Sequence, residues 1–235
     1  MRLSPYVLTV LGYLPQSLPD NGFCLVDGYL LRKRGLTGLV ERYKARFVVK
    51  GFLQRPGVDF SEVYAPVSHK AGLRVLLSAI THRKMFVRQL AFLMVFWYLT
   101  STCIVTSLKA SECLRPDGSP LVCKLVKSLY GLKQAPRAWS QLVKKVLTAH
   151  GFVMSRAEPA LYCRQDSSGG WTYVLTYVDD LIIALDDLAL YRLLIKAMEA
   201  AGWEVKELGV LVQFLSLDMQ HTLDSDGRCV KINLS

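Results

Sequence analysis

Apolar positions recur at helical intervals in three segments of the chain. Ser68 is predicted to cap the first helix, whose apolar face comprises Leu73, Leu76, Leu77 and Ile80. The second helix is predicted to begin near Pro136, a residue favoured in the first helical turn, and to end at Gly151. A third apolar helical pattern occupies residues 187–201.

Two other segments have the character of strands. Tyr43–Phe52 interleaves basic with apolar residues and is predicted to be a strand, followed by a Pro/Gly turn at Gln54–Asp59. Residues 171–185 consist of two β-rich apolar runs joined at Asp179 and Asp180, the pattern of a hairpin. Helices and strands do not alternate regularly. We therefore expect an α+β fold, an antiparallel sheet with helices packed on one face.

One segment admits two interpretations. Residues 89–108 contain no charged side chain and are long enough to span a bilayer. Five Thr and Ser residues crowd the second half of this run, however. Lys and Arg residues lie on both sides of it, which leaves the orientation of a membrane span poorly specified. A membrane protein is therefore the weaker interpretation, and no membrane association is expected.

Composition narrows the possible functions. Hydrophobic residues make up 51% of the 235 residues, which is enough to form a core. The net charge of +10 suits a polyanionic partner such as nucleic acid, although a merely soluble basic protein has the same charge. Six cysteines without a C-x-x-C pair argue against a zinc site or a disulfide framework. Residues 1–14 make a poor signal peptide, so an intracellular protein is expected.

The pair Asp179–Asp180 is the clearest candidate for catalytic chemistry. Two adjacent carboxylates at a hairpin tip place two negative charges side by side, as in the sites that hold two divalent ions for nucleotidyl transfer. Hard magnesium ions prefer such carboxylate oxygens. By itself, an Asp-Asp pair is also simply a good turn.

A second motif lies at 128–139, with the sequence SLYGLKQAPRAW. It is a glycine-containing turn with two cations, followed by a helix that starts with proline. Such a loop can place its backbone beside a nucleotide, but an isolated motif of this kind is weak evidence for that role.

Taken together, four blocks resemble the reverse transcriptase of copia-type retrotransposons, in the order found in that family. They occupy residues 40–67, 122–139, 177–184 and 207–219. The resemblance implies a right-hand polymerase fold, with fingers and palm, over residues 27–235. Residues 1–26 stay unassigned. Because the blocks cover fingers and palm alone, we expect the chain to be a fragment of a polyprotein.

The resemblance also implies roles for individual residues. Asp179 and Asp180 match the catalytic carboxylates that bind two Mg²⁺ ions, with Asp179 as the expected direct ligand. Lys44 and Arg46 match cations that hold the incoming deoxynucleoside triphosphate, and a guanidinium can contact two phosphate oxygens at once. Tyr130 and Gly131 match the loop that contacts the nucleotide. The implied contacts to the RNA or DNA template–primer are Lys50, Lys133 and Arg137.

The family pattern breaks at residues 89–93, which read QLAFL. The family has a segment resembling QLDVKNAFL here, and its aspartate is the third catalytic carboxylate. One alignment deletes four residues, the aspartate included. Phe92 then matches the aromatic residue that excludes a ribose 2′-hydroxyl beside the nucleotide. An ungapped alignment instead puts Ala91 at the aspartate position. Neither alignment supplies a carboxylate, so the magnesium site is expected to be incomplete.

The segment that follows has no counterpart in the family. Met94–Trp97 reads MVFW, which is what codons for His-Gly-Val-Leu (CAT GGT GTT CTG) encode when read one base late. We hypothesise that residues 94–115 are read out of frame, which also accounts for the apolar run. The expected function is a catalytically impaired RNA-directed DNA polymerase domain. The alternative is a relic that binds nucleic acid without catalysis.

Overall fold

The structure is a computed structural model. It describes residues 11–13, 24–34, 40–93, 104–106, 122–125, 128–215 and 217–235, with side chains described in 48–92, 128–215 and 217–235. The helices in these ranges are α1 (Lys70–Arg83), α2 (Ala135–Ala149) and α3 (Leu188–Ala200).

The described ranges contain fourteen strands. They are β1 (Leu11–Tyr13), β2 (Cys24–Arg34), β3 (Val40–Val49), β4 (Phe86–Leu93), β5 (Ile104–Thr106), β6 (Val122–Leu125), β7 (Val153–Met154), β8 (Leu161–Gln165), β9 (Trp171–Tyr177), β10 (Asp180–Leu185), β11 (Glu204–Gly209), β12 (Gln213–Phe214), β13 (Leu217–Leu223) and β14 (Cys229–Leu234). The chain divides into two compact units, residues 1–64 with 96–139 and residues 65–95 with 140–235.

The first unit is built on a five-stranded sheet in the order β1-β6-β5-β2-β3. The long antiparallel pair of β2 and β3 forms its most extensive contact, while β2 and β5 run parallel. The strand predicted over 43–52 is confirmed as part of β3. Gly51–Leu53 forms a short 3-10 turn instead of continuing the strand.

The second unit contains a six-stranded antiparallel sheet in the order β11-β4-β10-β9-β8-β7 and a three-stranded sheet in the order β12-β13-β14. The predicted mixture of helices with antiparallel sheet is therefore confirmed. The central strand β10 lies between β4 and β9. Strands β9 and β10 form the hairpin that the two apolar runs predict.

Helices cover both faces of the six-stranded sheet, so the expectation of helices on one face is wrong. Ile182 and Ala184 pack in one buried cluster with the apolar face of α1. Ile183 points to the opposite face and is equally buried. On that face Tyr191 of α3 donates a hydrogen bond to Glu207, 2.8 Å away. The cause is the continuous apolar sequence of β10, which is typical of a strand buried on both sides.

The start of α1 differs from the prediction in its cap. His69, not Ser68, occupies the N-cap position and provides no side-chain cap. The carboxylate of Glu158 instead accepts a hydrogen bond from the backbone N–H of His69 itself, at 3.3 Å. The same carboxylate accepts from the Ala160 N–H at 3.4 Å. An acceptor far along the chain thus satisfies a free donor of the helix terminus.

The apolar run of residues 89–108 is only partly described. Residues 89–93 belong to β4, and residues 104–106 form β5 between β6 and β2. The remainder of the run, and most of the 94–115 segment to which the frameshift hypothesis applies, lies outside the described residues. Among the described helices, none combines the length and apolar character needed to cross a bilayer.

Candidate functional site

Two carboxylates stand at the tip of the β9–β10 hairpin. Tyr177, the last residue of β9, pairs with Asp180, the first residue of β10. Val178 and Asp179 therefore form a two-residue turn between them. Both aspartates are half-buried. The prediction placed the junction at Asp179 and Asp180, and the structure moves it back by one residue, so that Asp180 is fixed by strand pairing.

The turn carries backbone strain. Val178 has a φ of 49°, in the left-handed region that β-branched residues rarely adopt. A hairpin turn with its left-handed residue in this first position favours glycine. Strain of this kind costs on the order of 1–3 kcal/mol and persists where surrounding structure enforces it. Strand pairing on both sides of the turn provides that enforcement.

The strand beside the hairpin brings Ala91 opposite Asp180. The pairing continues past the strand end, because the Phe92 N–H donates to the Asp179 carbonyl oxygen at 2.8 Å. Directly opposed residues on antiparallel strands share a face, with Cβ atoms about 5 Å apart. On the other side of β4, Lys206 of β11 lies opposite Ala91. Across the sheet from Asp180, the same face therefore presents first the methyl group of Ala91 on β4 and then Lys206 on β11.

Burial raises the pKa of the Asp180 carboxyl above its ordinary value, and the negative charge of Asp179 raises this pKa further. Both causes disfavour the ionised form. A second negative charge so close is tolerable only with water or a cation nearby. The tip of the hairpin is therefore a place where a divalent cation would relieve repulsion.

A two-ion magnesium site needs several oxygen ligands around the hairpin tip. Asp179 and Asp180 provide the hard oxygen donors that Mg²⁺ prefers. The neighbouring strand offers only the methyl group of Ala91 at the opposed position. Within the described ranges, no group of three or more His, Cys, Asp or Glu side chains is arranged to hold a metal ion. Asp179 and Asp180 thus fit part of such a site, and the opposed position of the described strand β4 adds no ligand to it.

The motif at 128–139 forms a second feature, in the first unit. The Val49 N–H donates to the Tyr130 carbonyl oxygen at 2.7 Å, which attaches the loop to the end of β3. Gly131 has a φ of 94°, and a Cβ there would lie 1.9 Å from the Val49 oxygen. A Cβ on Gly51 would lie 1.8 Å from the Gly131 oxygen. Both positions therefore require glycine, because the two backbones touch.

Two of the predicted nucleic-acid contacts interact with protein groups in this unit. The Lys133 ammonium lies 5.0 Å from the centre of the Phe60 ring and donates to the Gln54 carbonyl oxygen at 3.3 Å. Arg137 forms an ion pair with Glu62. Lys133 and Arg137 are half-buried, so they contribute to the structure of the loop as well as to its positive charge.

The structure describes the other predicted contact residues in less detail. Lys44 and Arg46 occupy alternate positions of β3, opposite Leu31 and Tyr29, and their side chains lie outside the described part of the chain. Lys50 is half-buried just after β3.

Phe92 is only 5% exposed and packs edge-on against Trp203, with ring centres 5.2 Å apart. Its side chain points to the face of β4 opposite that of Ala91. In this placement the ring belongs to the core and not to the face of Asp180.

Comparison with known proteins gives concordant results. The family model described as reverse transcriptase (RNA-dependent DNA polymerase) matches residues 18–231. The chain is 35% identical over 187 residues to the retrovirus-related Pol polyprotein from transposon RE2 of Arabidopsis thaliana, covering 80% of this chain and 13% of that protein. It is 38% identical over 156 residues to the corresponding polyprotein from transposon RE1 of the same plant, covering 66% and 11%.

A tobacco relative shows the same relation. The retrovirus-related Pol polyprotein from transposon TNT 1-94 of Nicotiana tabacum is 34% identical over 191 residues, which are 80% of this chain and 14% of that protein. The chain therefore spans roughly an eighth of the length of these relatives.

The raised pKa of Asp180 leads to a prediction about stability. Between the unfolded and the folded pKa the folded state binds more protons, so stability falls as pH rises through this window. Asp180→Asn removes the ionised form. We expect the variant to have a higher Tm than the parent chain at about pH 7, measured with EDTA present.

At about pH 3.5 the difference in Tm should shrink, because most of the parent carboxyl is then protonated in the unfolded state as well as in the folded state. Asp226→Asn, in an exposed turn, is the matched control and should leave Tm nearly unchanged at both pH values. An equal or larger gain at low pH would contradict the electrostatic account of Asp180.

Proposed function

Because this chain belongs to the reverse transcriptase family of copia-type Pol polyproteins, we propose that it is a fingers-and-palm module that binds template–primer and deoxynucleoside triphosphate but synthesises DNA poorly. The first unit corresponds to the fingers in this proposal, and the second unit to the palm. Asp179 and Asp180 are the proposed catalytic carboxylates.

The observation that carries the proposal is the pairing of Ala91 with Asp180. A carboxylate at position 91 would stand about 5 Å from that of Asp180, Cβ to Cβ, within reach of a shared ion. The alanine at this place offers no oxygen. This register also favours the alignment without a gap, in which Ala91 takes the position of the family's aspartate.

The energetic consequence follows from the chemistry of nucleotidyl transfer. Two divalent ions supplied by the solution would polarise the reacting phosphate and neutralise its developing charge. Ligands that act mainly in the transition state are worth several kcal/mol of barrier each. Two carboxylates that already repel one another hold a pair of ions poorly when the opposed strand gives no third ligand.

Binding of the template–primer does not require the missing ligand. The net charge of +10 favours association with phosphate backbones. Lys44 and Arg46, two residues apart on β3, are the proposed contacts of the triphosphate. The loop at Tyr130 and Gly131, attached to the end of the same strand, is proposed to lie along the nucleotide.

Ala91→Asp restores a carboxylate opposite Asp180 and is expected to raise the rate of primer extension at least about tenfold. Extension is measured on an RNA or DNA template with a labelled primer, deoxynucleoside triphosphates and Mg²⁺. Ala91→Asn is the matched control, since it has nearly the same size but no charge, and it should give no gain. Ala91→Asp combined with Asp179→Ala should lose the gain.

Robust synthesis by the unmodified chain, abolished by Asp179→Ala, would overturn the proposal of impaired catalysis. Equal rates for Ala91→Asp and Ala91→Asn would show that the missing charge is not the limiting defect.

The binding part of the proposal has its own experiment. Template–primer affinity, measured by fluorescence anisotropy, should fall steeply and linearly with the logarithm of salt concentration. Lys44→Ala combined with Arg46→Ala is expected to weaken binding of deoxynucleoside triphosphate at least about tenfold, since charged hydrogen bonds to phosphate are strong. The same variant should weaken template–primer binding only modestly.

Lys144→Ala combined with Lys145→Ala removes the same charge from an exposed part of α2 and serves as the control. It should leave nucleotide affinity unchanged. Template–primer binding that is indifferent to salt would refute the proposed phosphate contacts.

A further inference from the structure

Gln54 is buried, although it is polar and the two apolar residues before it are exposed. Gln54 is only 4% exposed, while Phe52 and Leu53 are 75% and 45% exposed. Burying a polar amide costs free energy unless its hydrogen bonds are satisfied. A glutamine buried next to exposed apolar side chains must therefore be held inward by specific partners.

Those partners belong to the 128–139 motif. The Gln54 Oε1 accepts a hydrogen bond from the Lys133 backbone N–H at 2.8 Å, and the Gln54 Nε2 donates to Gln134 Oε1 at 3.1 Å. The Gln54 carbonyl oxygen accepts from the Lys133 ammonium at 3.3 Å. One residue thus makes three hydrogen bonds to two consecutive residues that lie far along the chain.

The chemistry of the donors fixes the orientation of both amides. A backbone N–H can only donate, so the atom of Gln54 that faces Lys133 must be the oxygen. The Nε2 of Gln54 then faces Gln134, and an N–H requires an acceptor there. The Gln134 amide must consequently present its oxygen to Gln54 and turn its two N–H donors away.

The loop is held at two points. At one end the Val49 N–H binds the Tyr130 carbonyl, and Gly51 touches Gly131. At the other end Gln54 binds Lys133 and Gln134, just before α2 begins at Ala135. Both points of attachment come from the same short segment, residues 49–54, which leaves little freedom to the loop residues between Tyr130 and Gln134.

We propose that Gln54 is a positioning residue for nucleotide binding, which holds the 130–134 loop and sets the orientation of the Gln134 amide. The inference rests on the proposed function, in which this loop lies along the nucleotide. Gln54 acts through the loop and does not itself contact the ligand.

The test compares two substitutions of similar size. Gln54→Met keeps the volume and removes the amide, whereas Gln54→Glu keeps the acceptor for the Lys133 N–H and loses the donor to Gln134. Gln141→Met, at an exposed position of α2, is the matched control. For each chain, the affinities for template–primer with a dideoxy-terminated primer and for deoxynucleoside triphosphate in that complex are measured separately.

A spectroscopic measurement accompanies the titrations. The side-chain amide signals of ¹⁵N-labelled glutamine report the environment of Gln134, identified by its loss in Gln134→Met. In Gln54→Met the Gln134 amide signal should shift toward that of a solvent-exposed amide. It should stay at its parent position in Gln141→Met.

We expect Gln54→Met to weaken nucleotide binding about tenfold and to leave template–primer binding within about twofold of the parent chain. Gln54→Glu should restore part of the nucleotide affinity. Unchanged nucleotide affinity in Gln54→Met would overturn the inference. An equal loss of both affinities would also overturn it, because it would show a general structural role. If the parent chain binds template–primer but no nucleotide, the proposed function fails instead.

Discussion

The register between β10 and β4 is the constraint on which the functional interpretation depends. Strand pairing fixes Asp180 opposite Ala91, and a hydrogen bond from the Phe92 N–H to the Asp179 carbonyl extends this pairing to the hairpin turn. Backbone hydrogen bonds determine which side chains face one another, and a shift of one residue would turn every side chain to the other face. The side chain at position 91 is therefore the one that stands beside Asp180 on the neighbouring strand.

The same hairpin holds the Asp180 carboxyl where its ionised form is disfavoured. Asp180 is half-buried beside another negative charge, which raises its pKa, and Val178 has a left-handed φ. The hairpin tolerates these costs because its strands are anchored in the core: the five residues of β10 after Asp180 are all buried. Strain and like-charge repulsion at the end of a rigid element are typical of a functional site. In this chain they persist although the opposed residue is an alanine.

Local sequence patterns predicted the elements and not the contacts between them. The three helices and the hairpin followed from apolar periodicity and from residues such as Pro136 and Gly151, whose effects act within a few positions. Ser68 was the expected cap, but the acceptor found at this helix start is Glu158, which lies far along the sequence, and no local pattern encodes that contact.

The roles of Gln54 and Ala91 could not be predicted for the same reason. Gln54 lies in a segment with the composition of a turn, and only its tertiary partners explain its burial. For Ala91, two alignments were open, and strand register is a property of the folded sheet. The sequence did contain the observation that neither alignment supplies an acidic residue.

The most direct test of the account is the binding of Mn²⁺ at the hairpin, measured by electron paramagnetic resonance on the folded chain without nucleic acid. Carboxylates bind this ion as they do Mg²⁺. The account predicts weak binding by the parent chain and at least about tenfold tighter binding by Ala91→Asp, with the gain lost when Asp179 is replaced by alanine. Tight binding of two ions by the parent chain, abolished by Asp179→Ala, would contradict it.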